Sequence, residues 1–272
     1  MTDVPANLVE AVRQERCSPE AAALHLARDF RPGLSIRQEL ARLDRLAEGL
    51  GPLPADHPPT LQAAALQAYL HERHGFRGDD ADYYDPDNSY LDRVLDRRRG
   101  IPVTLAVLLA AVGRRVGCQV DLVGFPGHFL ARVGGASGAL VDPFAGFRPL
   151  SEVDLDRLAA RFLGGSDRLD RHVHLAPVGL RPLVVRMLLN VKHTHERRGD
   201  HARAMIACDR LVDLTGAVTF RRDRGLHALA LGAVEAALSD LTAYLEEEGR
   251  APDADRVRRA LARAREGVAP PS

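Results

Sequence analysis

The sequence predicts an α+β domain followed by an all-α region of paired helices. Three observations predict it: an apolar helix near the middle of the chain, short strands directly after it, and helical periodicity from about residue 178 onward. The chain has 272 residues, 46% of them hydrophobic and 27% charged, which is typical of a folded protein rather than a disordered one. We predict a helical N-terminal lobe over 1–75, a core over 76–165 and a helical region over 178–267.

The N-terminal lobe is predicted from helical spacing and helix-end signals. Residues 5–50 have helical character throughout, with Ser18 as an N-cap and Leu and Ile at helical spacing up to Gly51. A further helix over 61–74 is stopped by Gly75, and an acidic, turn-rich loop then leads into a helix with the sequence LDRVLDRRR.

The core is predicted around the segment RRGIPVTLAVLL, residues 98–109. A helix over Ile101–Val116 is apolar on nearly every side, which is typical of a central helix, and Pro102 suits its first turn. Three strands are expected next, in QVDLVGF, HFLARVG and ALVDPF, and the loop GASG between the last two predicts a hairpin.

The C-terminal region contains a repeat. Gly199 and Ala204 recur as Gly232 and Ala237 at an offset of 33 residues, and each Gly separates an apolar helix from an Ala-rich one. This offset is close to the tetratricopeptide period of about 34 residues, in which small residues let paired helices pack tightly. The tail DADRVRRALARARE is expected to form a capping helix.

A histidine and an aspartate of the hairpin are candidate catalytic residues. If the hairpin is centred on Ala136, Asp142 lies opposite Leu130 and on the same face as His128, within reach of a hydrogen bond. Such a bond would fix the imidazole tautomer and raise its basicity. The alternative is structural: His128 caps a strand after a Pro-Gly turn, and Asp142 is a turn residue before a proline.

The ordered blocks N-S-x-L, R-x-G-I-P, P-G-H-F and D-P-F resemble the bacterial SirB-type family, over roughly residues 35–245. This resemblance implies a papain-like, transglutaminase-like core joined to tetratricopeptide-type helices. In the wider superfamily a Cys nucleophile opens the central helix, and a His and an Asp follow on two strands. Carried onto this sequence, the His is His128 and the Asp is Asp142, but the nucleophile position falls on Pro102.

The other candidate nucleophiles are the three cysteines and Thr104. Cys118 lies past the far end of the helix, roughly 20 Å from its start at 1.5 Å per residue, and Cys17 and Cys208 are expected to fill core space. Thr104 is the hydroxyl near the helix start; it is either a nucleophile or, as we expect, bonded back to the helix. Thiol chemistry is therefore not predicted.

Four residues are candidate binding residues: Asn88, Ser89, Arg99 and Thr104. Asn88 and Ser89 match the N-S block, and Asn88 presents an amide to the cleft unless the pair simply caps the next helix. Arg99 either faces an anionic ligand or solvates the helix end. His172 and His174 lie on one side of a segment expected to be extended, but no third ligand is specified, so we predict neither a metal nor a cofactor.

Three functions are compatible with these features: a non-catalytic protein that binds a protein or peptide through its C-terminal helices, a hydrolase or amidase using water activated by His128 and Asp142, and a plain scaffold. Lys and Arg number 37, as do Asp and Glu, so the charge balance does not favour nucleic acid or an anionic membrane. No signal-peptide core or membrane-length apolar run is present in the sequence, and we expect a cytoplasmic protein.

Overall fold

A computed structural model describes residues 7–14, 17–54, 56–163 and 169–268. The chain divides into two units, with the boundary between Met187 and Leu188. The three-part division predicted from the sequence stays a prediction.

The first unit begins with helices that are separated by clear breaks. Their bounds are α1 Leu8–Arg13, α2 Pro19–Phe30, α3 Ile36–Glu48 and α4 Pro59–Gln67, the last continuing as a π-helical turn, Ala68–Arg73. The helical character predicted over 5–50 is present in α1, α2 and α3, with a break at 31–35, whereas residues 5, 6, 15 and 16 lie outside the described residues. Asn7, Ser18 and Ser35 each accept a backbone N–H of the helix that follows, so three of these helices begin at side-chain caps.

The central helix, α6, spans Pro102–Arg115, and its first twelve residues are all buried. It packs against α2 and α3 on one side and against two strands on the other, which explains why it is apolar all round. At Gly113 an added Cβ would lie 2.5 Å from the side chain of Val120, so this glycine allows the helix to approach the sheet closely.

Four antiparallel strands form the main sheet, in the order β3, β4, β5, β6. Their bounds are β3 Val120–Val123, β4 Leu130–Val133, β5 Ala139–Asp142 and β6 Arg148–Pro149. Ala131 lies opposite Val141, and Arg132 lies opposite Leu140, which centres the hairpin on Ala136 as assumed from the sequence. The edge strand β6 was not predicted.

A second, two-stranded parallel sheet joins β1 (Arg77–Gly78) to β2 (Arg99–Gly100), and it was not predicted either. Between these strands lie a short 3-10 turn, Pro86–Ser89, and the helix α5, Leu91–Arg97. The pairing brings the start of the acidic loop beside the residues that immediately precede α6.

After the sheet the chain is helical. The remaining helices are α7 Glu152–Phe162, α8 Arg171–His174, α9 Leu180–Arg197, α10 His201–Thr215, α11 Val218–Ala230, α12 Val234–Glu247 and α13 Ala254–Val268. None of the helices in the described ranges has both the length and the apolar character needed to cross a membrane.

The predicted repeat is present in the second unit. Gly199 and Gly232 have positive φ angles, +68° and +76°, at the turns before α10 and α12, a conformation that glycine adopts without strain. Ala204 and Ala237 are fully buried at the start of those helices. An α+β core followed by tetratricopeptide-like helix pairs is therefore confirmed.

Candidate active site

His128 and Asp142 form a buried hydrogen bond in the first unit. The distance from His128 Nε2 to Asp142 Oδ1 is 3.0 Å, and the two residues are 8% and 7% exposed. Asp142 ends β5. The sequence predicts His128 at the start of a strand, but the structure places it in the turn before β4. The turn depends on Gly127, with φ +66°, and on a hydrogen bond from His128 N to the Phe125 carbonyl.

Asp142 also holds its own turn. The same Oδ1 atom accepts the backbone N–H of Phe144 at 2.9 Å and that of Ala145 at 3.3 Å. A carboxylate only accepts hydrogen bonds, so it accepts a third one here, which His128 Nε2–H donates. The imidazole is then the tautomer whose Nδ1 carries a lone pair, the form needed in a general base.

Two phenylalanines enclose the imidazole. Phe162, the last residue of α7, stacks on His128 with a centroid distance of 5.6 Å and an interplanar angle of 10°. The Phe144 ring is nearly perpendicular to the imidazole, at 84°, with a centroid distance of 6.4 Å. An added Cβ on Gly127 would clash with the Phe162 ring, so the glycine is needed for this stacking as well as for the turn. Nothing in the sequence had indicated Phe162.

The leading end of α6 lies on the other side of β1 from the Asp142 turn. Gly78 N donates to the Phe144 carbonyl at 3.0 Å, and Asp79 N donates to the Gly100 carbonyl at 3.2 Å. Because neighbouring N–H groups of a strand point to opposite sides, Phe144 and Gly100 flank β1 at roughly twice the strand spacing, about 10 Å. Pro102 follows as the first residue of α6, and its N-cap, Ile101, supplies no side-chain cap.

Thr104 is occupied by the backbone. Its hydroxyl is within hydrogen-bond distance of the Asn88 carbonyl, at 2.8 Å, and of the Ile101 carbonyl, at 3.0 Å. Since a hydroxyl has one proton, the two carbonyls share it. The bond to Ile101 is the contact with the helix start that was expected in place of a nucleophilic role.

Asn88 and Ser89 lie in the 3-10 turn and do not cap the next helix. Tyr90 is the N-cap of α5, and no side chain bonds to that end, so the capping alternative is wrong. Asn88 Nδ2 donates to the Asp82 carbonyl at 2.8 Å. Asn88 Oδ1 and Ser89 Oγ are buried without a hydrogen-bond partner among the described residues. Their role in binding stays a prediction.

Arg99 is tied to the backbone beside this site. Its guanidinium donates to the carbonyls of Gly75, at 3.2 Å, and Arg98, at 3.1 Å. Partial burial, followed by the charge of Arg77, lowers the pKa of Arg99. These contacts hold the strand β2 in place, and binding of an anion by Arg99 stays a prediction.

The three cysteines are free and lack the environment of a reactive thiol. Burial raises the pKa of Cys17 and of Cys118, and the Cys118 thiol donates to Gln62 Oε1 at 3.1 Å. Cys208 is fully buried, which raises its pKa to about 12. A thiolate is the reactive form of cysteine, so none of these groups is poised for nucleophilic attack.

Metal-ligating side chains do not gather in the described ranges, where no group of three or more His, Cys, Asp or Glu could hold an ion. His172 and His174 lie in the one-turn helix α8, so the expectation of an extended segment is wrong. His174 Nδ1 accepts the backbone N–H of Asp170 at 3.0 Å.

Comparison with known proteins agrees with this architecture. A profile described as the transglutaminase-like superfamily matches residues 35–189, and a tetratricopeptide repeat profile matches 191–262. A UPF0162 protein of Xylella fastidiosa is 41% identical over 202 residues, covering 73% of this chain and 72% of the relative. A UPF0162 protein of Pseudomonas aeruginosa is 28% identical over 221 residues, covering 80% and 81%.

A shorter match extends to an animal protein. F-box only protein 21 of Mus musculus is 41% identical over 81 residues, which cover 29% of this chain and 13% of that protein. No solved structure matches the chain.

Proposed function

This chain belongs to the transglutaminase-like superfamily, as a UPF0162 (SirB-type) protein with tetratricopeptide repeats after that domain, and we propose that it is a non-catalytic binding protein, a pseudoenzyme. Its C-terminal helices bind a protein partner. The observation that supports the proposal is that Pro102 is the first residue of α6, the position to which the family resemblance assigns the nucleophilic cysteine.

The absence of thiol chemistry follows from this residue. A cysteine at a helix N-terminus gains a lowered pKa from the helix dipole and from an adjacent imidazolium. Proline offers no nucleophilic atom, and Thr104 is committed to two carbonyls. The raised pKa values of Cys17, Cys118 and Cys208 leave no described thiol as a substitute.

The binding role is supported by the repeats. Stacked helix pairs expose an extended concave surface, and proteins of this architecture commonly recognise other proteins through it. The equal numbers of acidic and basic residues do not favour nucleic acid. Three free cysteines are compatible with a reducing compartment, which supports a cytoplasmic location.

Two assays on the full-length protein test the lack of thiol chemistry. One measures covalent labelling by a thiol-directed acyl probe, located by mass spectrometry. The other measures incorporation of an amine into a glutamine-containing peptide. We expect neither reaction to exceed the rate of a His128→Ala variant. Labelling of one cysteine that disappears in that variant would contradict the proposal.

A second candidate function is hydrolysis by water activated at His128. The observation that favours it is the bond from Nε2 to Asp142, which leaves the Nδ1 lone pair to accept a proton. A panel of ester and amide substrates compared between the wild type, His128→Ala and Asp142→Asn distinguishes the two functions. Turnover that is lost in both variants favours the hydrolase.

Site-specific photo-crosslinking tests the binding role. A photoreactive amino acid replaces Ala260, a half-exposed residue of α13, and in a control protein replaces Leu61, an exposed residue of the N-terminal unit. We expect a defined protein adduct in cells from position 260 and not from position 61. If position 260 gives no adduct, the proposed recognition surface is wrong.

A further inference from the structure

A groove in the C-terminal unit has features that none of the proposals above uses. It is a cavity of about 560 Å³ between α11 and α13, and it is also lined by Glu196 and His201, near the turn between α9 and α10. Its apolar floor consists of Leu226, Leu229, Val257 and Ala260. The volume lies within the roughly 300–1,000 Å³ of common ligand sites.

The acidic groups of the groove are already neutralised. Glu196 bonds to Lys192 at 2.9 Å and to His227 Nε2 at 3.1 Å. Asp223 bonds to the same Lys192 at 2.7 Å and to Arg222 at 2.6 Å. These carboxylates therefore do not repel an incoming anion as unpaired charges would.

The third carboxylate, Asp253, is engaged in the same way. It accepts from Arg222 Nη1 at 2.7 Å and from the Tyr244 hydroxyl at 2.5 Å. Tyr244 is fully buried beneath the groove, so Asp253 is held by the packing of the unit as well as by charge.

Three arginines of α13 have no such partner. Arg256, Arg259 and Arg263 all line the groove and are exposed, and no ion pair or hydrogen bond within the described residues engages their guanidinium groups. Their spacing of three and four residues places them along one side of the helix. They form a row of free positive charge beside an apolar floor.

We infer that this groove binds an acidic segment of a protein partner, in which carboxylate side chains alternate with apolar ones. The inference rests on the proposed function, for which it names the class of partner. Carboxylates of the segment pair with Arg256, Arg259 and Arg263, whose planar guanidinium groups suit bidentate bonding. Its apolar side chains cover Leu226 and Leu229, which are half-buried.

The lining does not suit single-stranded nucleic acid. Sites for single strands combine basic groups with aromatic side chains on which bases stack. None of the described side chains that line this groove is aromatic, apart from the imidazoles of His201 and His227. Those two rings are bonded to each other, Nδ1 to Nδ1, at 3.1 Å.

Fluorescence anisotropy on the full-length protein tests the inference. The probe is a labelled short peptide of glutamate and leucine, compared with the same peptide carrying glutamine in place of glutamate. The variant Arg256→Ala/Arg259→Ala/Arg263→Ala is expected to bind the acidic peptide at least roughly tenfold more weakly, because three ion pairs are lost together. Arg265→Ala is the matched control, since Arg265 is exposed on the same helix but does not line the groove.

The charge reversal Arg259→Glu provides a second variant if the triple variant has a changed circular dichroism spectrum. Wild-type binding that weakens with added salt and with the glutamine peptide supports the inference. Equal binding by the triple variant and Arg265→Ala, tighter binding of a single-stranded oligonucleotide, or no binding of the acidic peptide overturns it. A partner adduct at position 260 that persists in the triple variant overturns only the acidic class of partner and leaves the proposed function intact.

Discussion

Replacing Pro102 by cysteine places a thiol at the first residue of α6, the position to which the family resemblance assigns the nucleophile. The pKa of that thiol then measures whether the helix start faces His128. The buried bond from His128 Nε2 to Asp142 orients the imidazole. Because an imidazolium partner stabilises a thiolate, a thiol beside Nδ1 is expected to lose its proton readily.

Two contributions to the thiol pKa differ enough to be separated. An ordinary cysteine has a pKa of about 8.5, and a helix N-terminus stabilises an anion by about 0.3–1 kcal/mol, which lowers the pKa to roughly 8. An imidazolium partner lowers it further, to about 7 or below. At pH 7 the helix alone leaves roughly a tenth of the thiol ionised, whereas the paired thiol is at least about half ionised.

Ultraviolet absorbance of the thiolate, recorded against pH and corrected with the wild type, gives this pKa directly. The native thiols contribute little near neutral pH, because burial raises the pKa of Cys17 and Cys118, and that of Cys208 to about 12. Pro102→Cys/His128→Ala is the control, with an expected pKa of roughly 8. If the single and double variants titrate together, Pro102 does not occupy the nucleophile position.

Three further changes test the packing around these sites. Burial alone would raise the pKa of Glu196, but hydrogen bonds from its histidine and lysine partners lower it to about 2. The contribution of Glu196 to stability is thus complete above the ordinary pKa of about 4.5 and is lost as the pH falls towards 2. In urea unfolding, acidification should lower the free energy of unfolding of the wild type by about 1–2 kcal/mol more than that of Glu196→Gln, a figure reduced because Glu196 is partly exposed. Gly78→Ala places a Cβ 2.6 Å from the Phe144 ring and should cost about 1–3 kcal/mol, whereas Gly33→Ala meets no atom within 4 Å and should leave the melting temperature nearly unchanged. Thr104→Val removes the donor shared by two buried carbonyls and should lower the free energy of unfolding in urea by about 1–2 kcal/mol. Thr104→Ser keeps the hydroxyl and should retain most of the stability. Equal stabilities of the two variants would contradict the assigned hydrogen bonds.

The elements that the sequence predicts well are those with a local cause. The apolar run after Pro102 is sufficient for a buried helix, and the 33-residue offset of the glycines is sufficient for helix pairs. Asp142 could be placed opposite Leu130 because a short Gly-rich loop constrains hairpin register.

The elements that were missed depend on contacts between distant segments. β1 and β2 are two residues long and pair across a separation of 22 residues, so neither strand has an alternating pattern to detect. Phe162 stacks on His128 from a helix more than thirty residues away, and no local feature of that helix indicates the contact. The sequence allows Asn88 to be a helix cap because Asn commonly caps helices. In the structure the Asn88 carbonyl instead accepts hydrogen bonds from the Thr104 hydroxyl and from Ile101 N.

The bonds of Asp142 give the His–Asp pair a structural role that does not depend on catalysis. Asp142 Oδ1 accepts from Phe144 N and Ala145 N, and the Phe144 carbonyl in turn accepts from Gly78 N. The carboxylate therefore fixes the turn that connects the main sheet to β1. Removing it would release these two backbone N–H groups and leave the buried His128 Nε2–H unpaired, the last at a cost of about 1–3 kcal/mol, whether or not any substrate is turned over. Asp142→Ala is consequently expected to lose stability under every proposed function. Only the pH dependence of a reaction rate, or the pKa of a thiol at position 102, can assign a chemical role to His128.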